Sequence, residues 1–314
     1  MNNFIYCTPT KIIFGRDIEP QIGPVLKEYG ASRVLIHYGG GSVKKTGLFD
    51  KVTASLEAAG LSWVELGGVQ PNPKLSFIHE GIALCRAEKV DFILAVGGGS
   101  VIDSSKAIGV GLATGNDPWQ YASTGTHPEK NEVFPVGVVL TLAAAGSEMS
   151  NSDVITNDLV SPWIKQGITS ETVRPVVSFL NPENTFTVSK FQTGCGIVDI
   201  MMHTMERYFL DTPDCDLTER IAEGLLIAVR EMCIRDRPRT PRAFKKARSK
   251  FHTLKKGIRT DTFFMCGNQT ARADSAEALG TRGKSHPAKR LPSPTQSRSY
   301  GCGQYRAARQ AEAV

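Results

Sequence analysis

Two apolar runs in this chain each lead into three glycines and a serine. Val34-Leu35-Ile36 passes through His37-Tyr38 to Gly39-Gly40-Gly41-Ser42, and Phe92-Ile93-Leu94-Ala95-Val96 passes directly to Gly97-Gly98-Gly99-Ser100. A short run that is apolar at almost every position fits a strand covered on both faces, and such strands belong to parallel sheets flanked by helices. Consecutive glycines after the strand remove every side chain between the backbone amides and an incoming anion. The pattern therefore points to an α/β fold with phosphate-binding turns. A tight turn before a well-capped helix fits the same residues. In that reading Ser100 is the expected cap, and Asp103 completes a capping-box-like Ser-x-x-Asp. Neither loop has the spacing of the dinucleotide fingerprint or of a P-loop.

The rest of residues 1–229 follows the same alternation. Strands are expected at 11–14, 33–38, 62–66, 91–96, 136–141, 154–155 and 176–180. Helices are expected at 22–29, 48–59, 76–88 and 101–112, the first two ended by Gly30 and Gly60. Pro71-Asn72-Pro73 reads as a turn. The order strand–helix–strand predicts a parallel sheet with helices on both sides. From Val188 onward the periodicity is helical, at 192–210 and 217–229, with a break at Thr212-Pro213. The expected organisation is an α/β dinucleotide-binding domain over 1–182 and the start of an all-helical domain over 183–229.

Two further patterns carry chemistry. The stretch from His37 to Lys45 contains no acid, one serine hydroxyl and two lysines, Lys44 and Lys45. An acid at this place would take ribose hydroxyls and repel a 2′-phosphate, so its absence suits a phosphorylated ribose. A flexible turn with solvated lysines fits equally. Asp199 and His203 stand four apart in a stretch with Ile197, Val198, Ile200, Met201, Met202 and Met205. On a helix they share a face, as two metal ligands or as a helix-stabilising pair. The apolar surroundings predict a buried Asp199, which would need a cation or several donors. Two ligands do not complete a site that takes three or four.

The charge is uneven. The chain is +6 overall, yet 20 of its 37 basic residues and only 6 of its 31 acidic ones lie from Arg230 onward. That segment is rich in Ser, Arg, Pro and Gly and lacks apolar periodicity, the composition of a chain that cannot offset its ordering entropy. No basic–aromatic interleaving marks it as a stacking surface for bases, so nucleic acid is not the expected partner. Met232-Cys233-Ile234-Arg235-Asp236-Arg237 resembles a translated library-adapter end, and 230–314 is expected to be a basic, non-native tail. No run approaches the ~18 apolar residues of a membrane span. No basic segment precedes an apolar block at the start. Seven scattered cysteines read as reduced thiols. These features together predict a cytoplasmic protein.

Residues 1–229 resemble the iron-containing (group III) alcohol dehydrogenases, in particular the branch of NADPH-dependent butanol dehydrogenases and aldehyde reductases. The resemblance is carried by Thr8-Pro9-Thr10-Lys11-Ile12-Ile13-Phe14-Gly15, by Tyr38 through Gly47, and by Pro71-Asn72-Pro73. It continues with Gly97 through Asp103, Leu140-Thr141-Leu142, Gly146-Ser147-Glu148, and Val198-Asp199 through His203-Thr204. It implies hydride transfer between NADP(H) and a small alcohol or aldehyde, with Fe²⁺ or Zn²⁺, in a homodimer of the full-length parent. It assigns Gly97, Gly98, Gly99 and Ser100 to the pyrophosphate, and Gly39, Gly40, Gly41 and Ser42 to the adenosine ribose. Thr141 and Leu142 fall on the nicotinamide side. Asn72, Asp103, Ser147 and Lys165 complete the expected cofactor contacts, and Asp199 and His203 are the first two metal ligands. NAD-preferring relatives carry Asp at the position of Gly39. The family has Thr where this chain has Ala145, and two further histidine ligands that no segment after 230 resembles. A metal-dependent lyase of the dehydroquinate synthase type is the alternative within a related fold. A chain that binds nucleic acid through its basic tail is the alternative outside it.

Overall fold

A computed structural model describes residues 7–210 and 215–235. The elements in chain order are β1 (Lys11–Phe14), α1 (Ile22–Glu28), β2 (Arg33–Tyr38), α2 (Ser42–Lys45), α3 (Leu48–Ala58), β3 (Ser62–Gly67) and α4 (Leu75–Ala87). β4 (Phe92–Gly97), α5 (Gly99–Thr114), α6 (Pro118–Thr124), β5 (Val136–Leu140), β6 (Ser152–Asn157), β7 (Ile164–Thr169) and β8 (Val177–Leu180) follow. The last two are α7 (Lys190–Tyr208) and α8 (Asp216–Arg235).

Six strands form one sheet in the order β1-β8-β5-β4-β2-β3, and every ladder in it is parallel. The period-2 rule sorts the strand residues between two faces. Val34, Ile36, Leu94 and Val96 lie with Ile22, Leu26, Val52 and Leu56 of α1 and α3. Leu35 and Ile93 lie with Ile78, Ile82 and Ile108 of α4 and α5. Every residue of β4 and of β5 is buried, as a central parallel strand requires. Each such Leu, Ile or Phe contributes about 1.5–3 kcal/mol by leaving water.

Three expectations need correction. β6 and β7 form a separate antiparallel hairpin, and β7 was not expected. Its Lys165, Gln166 and Gly167 break the apolar alternation because all but one of its residues are exposed. α6, begun by Asp117 capping the Trp119 amide, also went unforeseen. The helix expected to stop at 229 runs on to Arg235, since the first proline after it is Pro238. One compact unit runs to Arg230, and the division falls before Glu231. The break at Thr212-Pro213 and residues 236–314 lie outside the described residues. No helix among the described residues is long and apolar enough to cross a membrane. Cys85 and Cys195 form no disulfide.

His37 is fully buried in β2, stacked on Phe77 at 5.9 Å. Its Nδ1 lies 2.9 Å from the Leu66 carbonyl oxygen, which can only accept, so Nδ1 carries the hydrogen. Nε2 therefore accepts from Ser104 Oγ at 2.9 Å. Burial pulls the imidazole down to about 4, against the Leu66 hydrogen bond. Stability from this neutral histidine is present above its ordinary 6.5 and is lost as pH falls toward 4. Asp153 acts with the opposite sign. Burial raises it from 3.8 to about 7, so its contribution is lost as pH rises through that range. The two oppose each other in the parent, and the His37 share appears by difference. Between pH 6.5 and 5, urea unfolding should show the parent losing about 1.4 kcal/mol per pH unit relative to His37→Gln. A stability difference independent of pH would refute this.

Candidate functional site

The chain runs from β2 outward to β3 and returns to the other side of β2 as β4, so the order of the sheet reverses between β2 and β4. Ligands of open α/β sheets bind outside the carboxyl ends of strands at such a reversal. Both glycine loops lie there. A cavity of about 430 Å³ opens at this edge, lined by Ser42, Gly98, Thr141 and Leu142 among others. Four of the residues expected to hold a cofactor thus meet in one space.

The second loop is built for close approach. Gly97 ends β4, and Gly98 is the residue before α5, with extended backbone and no side-chain cap. Ser100 is therefore not the cap expected from sequence. It sits inside the first turn, because the helix already begins at Gly99. The first amides of α5 have no partner within the helix, and the helix dipole adds partial positive charge. A Cβ on Gly97 would come within 2.6 Å of Val101, and one on Gly98 within 3.1 Å of Leu142. These two glycines serve packing between strand, helix and the segment after β5. At Gly99 the nearest atom is 3.9 Å away. Thr141 donates its amide to Gly97 O at 3.0 Å, which ties that segment to the loop.

The first loop is more open. Gly41 has φ of +88° and precedes α2, whose first residue is Ser42. A Cβ on Gly40 or Gly41 would meet nothing within 4 Å. The pair of open lysines is corrected. Lys44 bonds Glu65 at 2.7 Å and lies 4.6 Å from the Phe49 ring centre. Glu65, near the end of β3, is an acid that the reading of the loop alone missed. Tyr38 also donates to it at 3.0 Å. Lys44 first, then Tyr38, holds the Glu65 carboxyl below its ordinary value against burial. Lys45 is exposed and is in no ion pair among the described residues.

The remaining expected contacts form two groups. Asn72, in a left-handed conformation with φ of +57°, accepts from Lys165 Nζ at 2.7 Å. Ser147 donates to Asp103 Oδ1 at 2.6 Å. Burial pushes the Asp103 carboxyl up, with Ser147 and Lys106 opposing. Sequence reasoning missed Lys106 and Asp153 in this second group. The available signal was that Asp103 and Lys106 are the only charged residues of α5. It also missed Asn181, Asn184 and Gln192, which line the cavity. Asn181-Pro182 directly after a parallel strand was the signal for these.

Asp199 and His203 share a face of α7 as expected, but the predicted burial fails. Their side chains are 45% and 52% exposed. Among the described residues α7 buries only Gly196, Ile197 and Thr204. Solvent reaches the Asp199 carboxylate, so burial alone imposes no cation on it. His203 Nε2 stands 3.7 Å from Asp199, while its Nδ1 stands 3.7 Å from Glu206. The two acids face opposite ring nitrogens rather than one common point. No group of three or more His, Cys, Asp or Glu among the described residues could hold a metal. Asp199 and His203 fit two ligands of a site, not a complete one.

Comparison with known proteins decides the family. Residues 9–182 match the family described as iron-containing alcohol dehydrogenase. The chain belongs to that family. It is 46% identical over 231 residues to the probable NADH-dependent butanol dehydrogenase 1 of Bacillus subtilis (strain 168), covering 74% of this chain and 58% of that one. It is 40% identical over 233 residues to an NADPH-dependent aldehyde reductase of Escherichia coli (strain K12), with the same coverage of 74% and 58%. The crystal structure of NADH-dependent butanol dehydrogenase A from Thermotoga maritima superposes with a TM-score of 0.70 at 42% identity, over 75% of this chain and 58% of that one. The chain thus spans under two thirds of the length of these relatives. The lyase expectation finds no support in these matches.

The two loop glycines separate conformational from spatial demands. Gly41→Ala forces a left-handed residue with a Cβ and should cost about 1–2 kcal/mol. Gly40→Ala meets open space and should stay within about 0.5 kcal/mol of the parent. Denaturant unfolding of both checks this, and equal losses would contradict the loop geometry.

Proposed function

We propose that the protein is an NADP(H)-dependent, metal-dependent alcohol dehydrogenase that works mainly as an aldehyde reductase on small aldehydes. One observation carries the reading. Ser42 of the first glycine loop, Gly98 of the second and Thr141-Leu142 line one cavity at the reversal of the sheet, beside the uncapped amides of α5. That is the geometry of a dinucleotide site, with the pyrophosphate at the helix end and the two nucleoside halves on either side. Gly97, Gly98, Gly99 and Ser100 bind the pyrophosphate in this reading. Gly39, Gly40, Gly41 and Ser42 take the adenosine ribose.

The 2′-phosphate is argued from charge. Glu65 stands in β3, the strand paired with β2, and Lys44 and Tyr38 already engage it. Lys45 and the Ser42 hydroxyl remain to meet a phosphate. Relatives named for NADH and for NADPH stand at comparable identity, so the loop rather than the overall likeness supports the choice. Asp199 and His203 are two of the metal ligands in this reading, and the metal is Fe²⁺ or Zn²⁺. When bound, the nicotinamide exchanges hydride with the substrate and the metal polarises the substrate oxygen. Asn72, Lys165, Asp103 and Ser147 orient the reacting half of the cofactor. A cytoplasmic location and a homodimer belong to the same proposal.

Cofactor choice is testable on the 314-residue chain by fluorescence titration. NADPH should bind about tenfold or more tightly than NADH, a difference of about 1.4 kcal/mol. Gly39→Asp should erase that preference by repelling the 2′-phosphate. The Cβ of the new residue is accommodated, since the nearest atoms to it are 3.6 and 3.8 Å away. Equal affinities in the parent would overturn the assignment of NADP(H).

The ligand assignment has its own test. In equilibrium dialysis against Zn²⁺, Asp199→Ala and His203→Ala should each lower the zinc bound by the chain. Unchanged binding in both variants would remove these residues from the metal site.

A further inference from the structure

Lys106 is 1% exposed, in the middle of a helix whose other charge is Asp103. Its three hydrogens are shared among four oxygens, Ser147 Oγ at 3.0 Å, Ser150 O at 3.0 Å, Ser150 Oγ at 3.2 Å and Ser152 O at 2.8 Å from Nζ. All four oxygens come from one segment, residues 147–152. An ammonium has three hydrogens and no acceptor, so it satisfies itself entirely by fastening that segment to α5.

The lysine also fixes a direction. Ser147 Oγ accepts from Nζ, so its own hydrogen goes to Asp103 Oδ1 at 2.6 Å. Lys106, Ser147 and Asp153 are buried, while Asp103 keeps partial exposure. Lys165, which bonds Asn72, acts on Asp103 electrostatically. Asp103 is thus the end of the chain that reaches toward the other expected cofactor contacts. Behind it, Asp153 Oδ1 accepts the Ile168 amide at 3.0 Å, and its Oδ2 has no hydrogen-bond partner. One buried ammonium serves two carboxylates.

The desolvation cost of this buried charge is offset by the oxygens of the segment and by the two acids. A methionine of similar length would fill the space but would leave the Ser150 and Ser152 carbonyls without this donor and the acids without their counter-charge. It could neither donate to Ser147 nor hold the segment by its carbonyls. The near end of the same segment is tied by Thr141 to Gly97, and Leu142 lies over Gly98. Lys106 ties the far end.

We propose that Lys106 is a positioning residue for the nicotinamide half of the bound cofactor, acting through Ser147 on Asp103. This rests on the cofactor reading above. Neither end of the hydrogen-bond chain touches the adenosine loop at Gly39–Ser42, so the effect is confined to one half of the ligand.

Two probes separate the halves. NADPH spans the whole site, and adenosine 2′,5′-bisphosphate presents only the phosphorylated adenosine. With the 314-residue chain, Lys106→Met should weaken NADPH about tenfold and leave the bisphosphate within about twofold. Ser147→Ala, which keeps the lysine but cuts its link to Asp103, should act in the same direction and guards against a Lys106 variant that fails to fold. A parent that binds both probes, with variants that bind NADPH as the parent does or lose both probes equally while folded by circular dichroism, would overturn this inference alone. A parent that binds neither would overturn the cofactor reading and this inference with it.

Discussion

The ladder between β2 and β4 is the constraint on which the rest of the molecule depends. It pairs Val34 with Phe92 through to Tyr38 with Val96. A parallel register ends both strands at one level, so the chain leaves each at the same edge of the sheet. The two glycine loops are 58 residues apart in sequence and side by side in space for this reason alone. A slip by one residue would turn every side chain of β2 to the wrong face. Val34 and Ile36 would then leave the α1–α3 side, and His37 would lose Leu66 and Ser104. The binding edge and the core are specified by the same hydrogen bonds.

Much of this was legible because the strongest signals were local. β2, β4 and β5 read as strands because each is apolar on both faces, and only a parallel sheet covered by helices demands that. The turns that follow them read as anion sites because side chains are missing there. What escaped was polar and non-local. β7 has little apolar content, and its partner β6 supplies its pairing across a turn. The identity of the α5 cap turned on where the helix begins. Ser100 has the right chemistry for a cap two positions too late. The burial of Asp199 was inferred from its apolar neighbours along the sequence, but a helix buries a face only where another element lies against it.

Three lysines show how differently one residue type can be used. Lys44 lies on the surface of Tyr38 and Phe49 and neutralises Glu65. Its neighbour Lys45 keeps its charge for solvent or a ligand. Lys106 carries its charge inside, where burial pulls it down to about 8 and Asp103 and Asp153 oppose that fall. Counting basic residues near the loops would treat all three alike. Their environments assign them separate tasks: silencing an acid, offering a charge, and orienting a hydroxyl.

The room for a Cβ at Gly39 has an evolutionary consequence. Its nearest neighbours are a backbone oxygen and a valine methyl, both at ordinary contact distance from a Cβ that is not there. Position 39 therefore accepts a Cβ without displacing its neighbours, although it borders the central ladder. In the cofactor reading proposed above, a change at this one position is enough to alter which nicotinamide is preferred. On that reading lineages that keep the same fold need not keep the same cofactor, and overall similarity becomes a poor guide to it.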